Sequence, residues 1–309
     1  MKYQIFNSSD KNVSKFVFEK DSDGVQKGIA VEAVLYRYNS YEERTVVCCS
    51  TQCGCPVGCS FCGTGKFFVR NLTANEIIEQ VTTVLSTIDC DIAKVKKLQI
   101  MFMSMGEPFL NYKNVKKAIT ALAYIYPTAQ LLISTSAPKA IKRSLFDFLH
   151  FSRSQPKVGL QFSVHESTDE ARRKLIASDS LSLANIGFVG ELWAQHTGRR
   201  PFFNYCVHEG NNRQEDVNNL LRNFNPDVWE CTLSVICEKD KTMQNAINDK
   251  LDIIQDFSSK MRNAGYSLRV FNPAGQDDIG GGCGQLWYFQ EWLKQQGGYE
   301  YGEKNRRDI

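Results

Sequence analysis

Four cysteines lie within ten positions of one short segment, "CGCPVGCSFC" at residues 53–62. The last three of them, Cys55, Cys59 and Cys62, follow the spacing C-x3-C-x2-C. Thiolates this close in sequence are typical ligands of zinc or of an iron–sulfur cluster. A structural zinc site usually contains a second C-x2-C or a His pair, and the sequence offers neither after Cys62. Three cysteines fit three corners of a [4Fe–4S] cluster, so the spacing favours iron–sulfur and leaves zinc as the alternative.

Composition limits the class of protein. The chain has 309 residues, of which 42% are hydrophobic and 23% charged, enough for one large α/β domain or two smaller ones. The sequence has neither an apolar run of signal-peptide type nor the ~20 apolar residues of a membrane span. We therefore expect a cytoplasmic protein whose 11 cysteines stay reduced and serve metal binding or catalysis. The net charge of +3 permits nucleic-acid binding without indicating it.

Short apolar runs alternate with amphipathic segments along most of the chain. Strands are predicted at 45–49, 97–103, 129–135, 158–164, 201–207, 231–236 and 267–271. Helices are predicted from a capping box at Thr73 and Glu76, from Ser167 with Glu170 three residues on, and at 113–125, 139–149, 182–196, 213–223, 245–264 and 285–296. This alternation predicts parallel strands with crossover helices, arranged as an open or closed β/α barrel. The cysteine loop then lies at the carboxyl edge of the first of these strands, where such folds build their active sites.

Several segments in a fixed order resemble the RlmN/Cfr family, radical S-adenosylmethionine (SAM) enzymes that methylate adenosine in RNA. They are "TVVCCSTQCGCPVGCSFCGTG", "MSMGEPFLNYKNVKKAI", "LLISTSAPKAI", "LQFSVHESTDEARRKLI" and "GQDDIGGGCGQL". The resemblance implies an α/β fold in which a radical-SAM partial (β/α)6 barrel spans residues 45–272. An N-terminal β extension at 1–44 and a C-terminal cysteine loop plus helix at 273–309 complete what is expected to be a single domain.

The same resemblance implies two cofactors, a [4Fe–4S] cluster and S-adenosyl-L-methionine. Cys55, Cys59 and Cys62 match the cysteines that hold the cluster. The residues that match the family's contacts to SAM are Phe61, Gly106, Glu107, Ser134 or Ser136, Ser163, Val164 and His165.

The implied reaction is methylation of a ring carbon of adenosine in rRNA or tRNA, with C2 favoured and C8 as the other position. In this family a cysteine carries the methyl group, and Cys283 matches it. Cys48 matches the cysteine that releases the product by forming a disulfide with the carrier, and Glu32 matches the base that removes the adenine proton. Cys49 faces the other side of the strand and is expected in the core, whereas Cys53 is not assigned to any cysteine of the family.

The implied partners are RNA and an electron donor such as flavodoxin or ferredoxin. The family usually begins with a helical accessory domain that grips RNA, but the residues before Glu32 have the pattern of strands. RNA recognition is therefore assigned to a partner subunit or to barrel-edge charges, the candidates being Arg172, Arg173, Lys174, Arg199, Arg200, Lys304, Arg306 and Arg307. At the end of the sixth strand, Cys237 and Glu238 stand where the family has an asparagine that contacts SAM.

Two alternative functions remain open at this point. The first keeps the radical-SAM chemistry and changes the substrate to DNA, a nucleotide or a protein. The second is an RNA-binding protein without catalysis that is stabilised by zinc.

Overall fold

The structure is a computed structural model of the chain and describes residues 1–19, 30–176, 179–235, 251–271, 279–281 and Leu286. The strands are β1 (Lys2–Asn7), β2 (Val13–Glu19), β3 (Ala30–Tyr38), β4 (Arg44–Cys49), β5 (Gln52–Gly54), β6 (Phe68–Asn71), β7 (Lys97–Phe102), β8 (Gln130–Thr135), β9 (Val158–Ser163), β10 (Phe202–Val207), β11 (Glu230–Val235) and β12 (Ser267–Val270). The helices are α1 (Ala74–Ser86), α2 (Tyr112–Ile125), α3 (Lys142–Arg153), α4 (Asp169–Leu175), α5 (Leu183–Thr197), α6 (Gln214–Leu221) and α7 (Leu251–Asn263). Short 3₁₀ turns cover Gly63–Lys66, Ile92–Lys94, Pro108–Asn111 and Lys139–Ile141.

Ten of these strands form one sheet in the order β1-β2-β3-β4-β7-β8-β9-β10-β11-β12. The pairs from β1 to β4 are antiparallel, and every pair from β4 onward is parallel. Parallel neighbours need crossover connections, which helices such as α1, α2 and α3 supply. The predicted parallel β/α arrangement is confirmed, and each predicted parallel strand lies within one residue of its position in the structure.

The sheet curls so that its distant strands approach one another. The ring of Tyr36 on β3 meets the ring of Phe271, just after β12, with centroids 6.4 Å apart. Alternate residues of the parallel strands face a central cavity, while the residues between them, such as Val47 and Ile100, pack in the core. A curled parallel sheet around a central cavity is a partial barrel, as predicted.

Local signals explain where two of the helices begin. The Thr73 hydroxyl accepts a hydrogen bond from the Glu76 amide, and the Glu76 carboxylate accepts one from the Thr73 amide, which confirms the predicted capping box. The predicted cap at Ser167 is wrong by one residue. Thr168 caps α4 through its hydroxyl, because the Ser167 hydroxyl donates instead to Asp216 at the start of α6.

Three other predicted helices differ from the described structure or extend beyond it. The helix predicted at 139–149 begins with the 3₁₀ turn, and its α-helical part runs later, from Lys142 to Arg153. The first residues of the helix predicted at 245–264, and all of the one at 285–296 except Leu286, lie outside the described residues. No helix in the described part of the chain has the length and apolar character needed to span a bilayer. The division of the chain into extension, barrel and cysteine loop stays a prediction.

Candidate active site

A cavity of about 730 Å³ runs through the interior of the curled sheet. Each parallel strand from β4 to β12 contributes side chains to its wall. At the carboxyl end, the wall includes nine of the residues predicted from the sequence. They are Cys55, Cys59, Phe61, Cys62, Glu107, Ser134, Ser136, Ser163 and His165. The backbone of Gly106 and the thiol-bearing Cys48 lie on the same wall.

The cysteine loop follows β5 and is held by backbone hydrogen bonds. The amide of Cys55 donates to the carbonyl of Phe67 at 2.8 Å, and the amide of Cys62 donates to the carbonyl of Cys59 at 3.1 Å. All three thiols are partly exposed, and burial raises the pKa of Cys55 to about 12. Such a thiol stays protonated at neutral pH unless a cation binds it.

The three thiols share one wall of the cavity without converging on a single point. In the ranges that the structure describes, no three His, Cys, Asp or Glu side chains are gathered closely enough to hold a metal ion. Their number and chemistry nevertheless fit a [4Fe–4S] cluster, which takes thiolate ligands. Binding a cluster requires the three side chains to turn towards a common centre.

Gly106 and Glu107 join the ends of β7 and β8. Gly106 has φ +99°, and a Cβ at this position would lie 2.6 Å from the Cβ of Gln52, so only glycine fits without strain. The Glu107 carboxylate accepts hydrogen bonds from the Thr135 hydroxyl at 2.7 Å and from the amide and hydroxyl of Ser136, both at 2.9 Å. Burial raises the pKa of Glu107. This carboxylate therefore fixes the two strand ends that border the cavity.

His165 follows β9 and is only 3% exposed. The ring of Phe61 meets it edge-on at 5.4 Å between centroids. Burial, with a smaller contribution from the cation Arg172, lowers the pKa of His165 to about 3, so its imidazole is neutral at physiological pH. Its Nδ1 has no hydrogen-bond partner among the described residues and is available to a ligand. The neighbouring Val164 is fully buried in the core.

Arg172 is a structural residue of this site, which corrects its prediction as a surface charge for RNA. It is 2% exposed, and its guanidinium donates to the carbonyl oxygens of Ser136 at 2.6 Å, Ser163 at 3.1 Å and Leu181 at 3.1 Å. Burial lowers its pKa to about 10. Two of these carbonyls belong to the segments that carry predicted SAM contacts, so Arg172 positions them.

Arg199 and Arg200 are also not free surface charges. Arg199 donates to the carbonyls of Ser152 and Gln155, and Arg200 donates to the carbonyls of Pro226, Val228 and Trp229. Arg173 and Lys174 are exposed, as predicted. Lys304, Arg306 and Arg307 lie outside the described residues.

Cys48 and Cys49 occupy opposite faces of β4. Cys48 lines the cavity, and burial raises its pKa to about 12, opposed by a hydrogen bond with Tyr36. The Tyr36 hydroxyl also donates to the carbonyl of Gly281 at 2.8 Å. Cys49 is fully buried in the core. The nine cysteines in the described ranges carry free thiols, whereas Cys237, Glu238 and Cys283 lie outside those ranges.

Glu32 lies on β3 and is fully buried. Its carboxylate pairs with the ammonium group of Lys15 on β2 at 3.0 Å, and both side chains have 0% exposure. The Glu32 carbonyl accepts hydrogen bonds from the hydroxyls of Ser50 at 2.6 Å and Ser104 at 2.7 Å. By alternation along β3, Glu32 lies on the same strand face as the cavity residues Val34 and Tyr36. Its ion pair with Lys15, which the sequence analysis did not predict, keeps the carboxylate buried.

Sequence reasoning missed several polar residues on the cavity wall, including four on β9, β10 and β11. Gln161, Asn204, Thr232 and Ser234 project inward from β9, β10 and β11. The Asn204 Oδ1 is buried and has no hydrogen-bond partner in the described part of the chain. A detectable signal existed, because these residues interrupt otherwise apolar strands at positions separated by two.

Comparisons with known proteins agree on one family, although no family model matches the chain. The chain is 31% identical over 276 residues to a probable dual-specificity RNA methyltransferase RlmN from Heliobacterium modesticaldum, with 85% of this chain and 70% of that protein covered. It is 30% identical over 305 residues to the Thermus thermophilus protein of the same description, with coverages of 92% and 76%. The crystal structure of a radical SAM methyltransferase from Sphaerobacter thermophilus superposes with a TM-score of 0.72 at 26% identity, covering 92% of this chain and 80% of that one. The chain therefore belongs to the RlmN family and has the radical SAM fold.

Proposed function

We propose that this protein is a radical SAM methyltransferase that methylates a ring carbon of adenosine in RNA. The observation that carries the proposal is the cavity at the carboxyl end of the barrel, where the thiols of Cys55, Cys59 and Cys62 share a wall with Cys48. The relatives named above are described as RNA methyltransferases, which supports RNA as the substrate class. The cofactors of this family member are SAM and a [4Fe–4S] cluster.

Cys55, Cys59 and Cys62 are the residues that would hold the cluster. When bound, the cluster supplies the electron that cleaves SAM to a carbon radical. We assign the SAM contacts to the cavity-wall residues Phe61, Gly106, Glu107, Ser134, Ser136, Ser163 and His165, and to the backbone of the adjacent Val164. The neutral His165 contributes hydrogen bonding without a charge, and Glu107 fixes the orientation of Ser136.

The proposed methyl transfer uses two cysteines and one carboxylate of the chain. Cys283 carries the methyl group, Glu32 removes the proton from the adenine carbon, and Cys48 releases the product by forming a disulfide with Cys283. The position of Cys48 on the cavity wall supports its role. Lys15 supplies the counter-charge that the buried carboxylate of Glu32 needs, and this ion pair must open towards the cavity for Glu32 to reach the adenine. C2 is the favoured ring position, with C8 as the alternative.

The proposed partners are an rRNA or tRNA and a reducing protein such as flavodoxin or ferredoxin. A ring carbon of adenine is electron-poor and does not attack the methyl group of SAM directly, so a radical route is needed. Reductive cleavage of SAM starts that route and requires an electron donor. An adenine within a duplex would have to be flipped out to enter the cavity. Arg173 and Lys174 are the exposed cations of the predicted set, and since Lys174 pairs with Glu170 at 2.9 Å, Arg173 is the first candidate for a phosphate contact.

The first test compares nucleosides of total RNA from cells that lack the protein with those from complemented cells. We expect a methylated adenosine that depends on the wild-type protein and is lost with Cys55→Ala, Cys59→Ala or Cys62→Ala. The matched control is Cys90→Ala, which removes a partly exposed thiol away from the cavity. Unchanged nucleosides with an intact cluster would exclude RNA as the substrate. Anaerobic protein that is colourless and holds stoichiometric zinc would favour the non-catalytic alternative.

The second test addresses the two further cysteines. Peptide mass spectrometry of wild-type protein should find a methyl group on the peptide that contains Cys283. Cys48→Ala should accumulate a covalent adduct between protein and RNA, because water replaces a thiolate poorly in breaking such a bond. The neighbouring core variant Cys49→Ala serves as the control and should not trap RNA. If Cys49→Ala or Cys53→Ala traps RNA while Cys48→Ala turns over normally, the assignment of the releasing role to Cys48 is wrong.

A further inference from the structure

The end of the cavity opposite the cysteine loop is lined by cations. Parallel strands place their first residues together, and β4 and β7 begin with Arg44 and Lys97, which are register partners. Arg269 of β12 and the amide side chains of Gln99 and Gln130 line the same region. None of these residues takes part in the function proposed above.

Two of these cations are held in fixed orientations. The guanidinium of Arg44 lies 4.2 Å from the centroid of the Tyr38 ring, and its Nε donates to Gln99 Oε1 at 3.0 Å. The guanidinium of Arg269 lies 4.9 Å from the centroid of the Phe202 ring. Stacking on an aromatic face limits the motion of an arginine without using all of its five N–H donors. Both groups are therefore preorganised to bind an acceptor.

The positive charge at this end is not balanced within the described residues. Glu230 is the carboxylate nearest to the group, 3.3 Å from Arg269. Three cations against this one carboxylate leave an excess of two positive charges. The pKa of Lys97 is lowered, first by burial and then by the charges of Arg44 and Arg269, with Glu230 opposing the shift. These like charges repel one another, and an anion between them would relieve the repulsion.

Three other cations that line the cavity, Lys157, Arg199 and Arg200, are hydrogen-bonded to main-chain carbonyls. The ammonium group of Lys157 donates to the carbonyl of Pro127, and Arg199 and Arg200 donate to the main-chain carbonyls already described. The ammonium group of Lys97 makes no such hydrogen bond with the described residues. Arg44, Lys97 and Arg269 therefore keep N–H donors for an external ligand, with one Arg269 donor shared with Glu230.

We propose that the amino end of the barrel is a binding site for a phosphate group, held by Arg44, Lys97 and Arg269. Two planar guanidinium groups and one ammonium group match the several oxygen atoms of a tetrahedral oxyanion. The excess of two positive charges matches a phosphate dianion better than a single carboxylate. A free phosphate or the terminal phosphate of a nucleotide can carry two charges, whereas each phosphodiester of RNA presents the same oxygen geometry with one charge. The site lies at the opposite end of the cavity from the cysteines and does not depend on the function proposed above.

The test is calorimetric titration of the full-length, anaerobically purified protein with inorganic phosphate at constant ionic strength. We expect binding by the wild type and a loss of affinity of about tenfold or more in Lys97→Gln and in Arg269→Gln, because each removes a charge-assisted hydrogen bond. The matched control is Lys113→Gln, an exposed lysine of α2, which should bind phosphate as the wild type does. Without phosphate, Lys97→Gln should unfold at the same temperature as the wild type or above it, because a repulsion has been removed. That readout separates loss of the site from failure to fold.

A second arm replaces phosphate with a short single-stranded RNA and varies the salt concentration. If Lys97→Gln weakens RNA binding and reduces the slope of log affinity against log salt by about one, the site takes an RNA phosphate. If Lys97→Gln loses inorganic phosphate but binds RNA with an unchanged slope, the site takes a free phosphate or nucleotide. The proposal is overturned if the wild type binds neither ligand, or if Lys97→Gln binds both of them as the wild type does.

Discussion

The buried ion pair between Lys15 and Glu32 offers a test of how the antiparallel strands join the barrel. Both side chains have 0% exposure, and the charged atoms are 3.0 Å apart. At an effective dielectric constant of about 20, two unit charges at this distance attract by ~5 kcal/mol. Removing one partner of such a pair costs roughly 3–5 kcal/mol, because the other charge stays buried without compensation. We therefore expect Lys15→Met, which keeps most of the side-chain volume, to lower the free energy of unfolding by roughly that amount.

The assay is a double-mutant cycle measured by urea denaturation. Lys15→Met, Glu32→Gln and the double variant are compared with Lys142→Met, which changes an exposed lysine of α3 and should have little effect. The double variant should be more stable than the sum of the single changes predicts, by about 2 kcal/mol or more, because it leaves no unpaired charge. RNA methylation measured on the same proteins separates stability from catalysis. If Glu32 is the base, the double variant regains stability without regaining methylation.

Two results would refute this reasoning. The first is a Lys15→Met variant with the same urea midpoint as the wild type, which would mean that water reaches the pair. The second is additivity of the two single variants within about 0.5 kcal/mol, which would mean that the charges do not interact. Recovery of methylation in the double variant would instead remove Glu32 from the proposed mechanism.

Three further predictions concern the carboxyl end of the cavity. His165 has a pKa of about 3 in the folded protein against an ordinary value of 6.5, so the unfolded chain binds more protons between these values and stability falls as the pH falls below 6.5. Its contribution to the loss between pH 7 and pH 5 is about 2 kcal/mol, and His165→Gln should remove that part of the slope in urea denaturation. Arg172→Gln should lower the free energy of unfolding by roughly 2–4 kcal/mol because it removes the donor of three carbonyls, whereas the exposed neighbour Arg173→Gln should change it by less than about 0.5 kcal/mol. Tyr36→Phe should cost about 1–3 kcal/mol in the same assay, because the buried Gly281 carbonyl loses its donor.

Each of these expectations has a clear contrary result. A pH slope that is the same in His165→Gln and the wild type would mean that the imidazole is accessible to water. Equal effects of Arg172→Gln and Arg173→Gln would mean that the guanidinium of Arg172 is not buried. An unchanged urea midpoint in Tyr36→Phe would mean that the contact with Gly281 contributes nothing to stability.

Most of the fold is predictable from the sequence because the strands are short apolar runs with clear boundaries. The helix at Thr73 is predictable for a related reason, since both groups of its capping box are local. The start of α4 is not, because the choice between Ser167 and Thr168 depends on Asp216, which is remote in sequence. Local patterns therefore predict the elements, and tertiary hydrogen bonds decide details of their ends.

The candidate site divides in the same way. The spacing of Cys55, Cys59 and Cys62 predicts a ligand loop without any knowledge of the fold. Arg172 has the same appearance in the sequence as Arg173, yet one is buried beneath the strand ends and the other is exposed. Lys15 likewise looks like an ordinary strand lysine. Burial of a charge is a property of the packed structure, so single-sequence reasoning placed the buried Arg172 on the surface and did not identify Lys15.

The direction of the parallel strands gives the cavity two chemically different ends. The carboxyl end holds the carboxylate of Glu107, the buried guanidinium of Arg172 and the three thiols of the cysteine loop, while the amino end holds the cations around Lys97. Charges in a cavity with low-dielectric walls act over longer distances than charges in water. The carboxyl end is therefore less positive than the amino end, which favours a positively charged ligand such as SAM near the cysteine loop. The same difference in charge disfavours an anion near the cysteine loop. RNA phosphates are therefore expected at the rim of the cavity, while only the uncharged base enters.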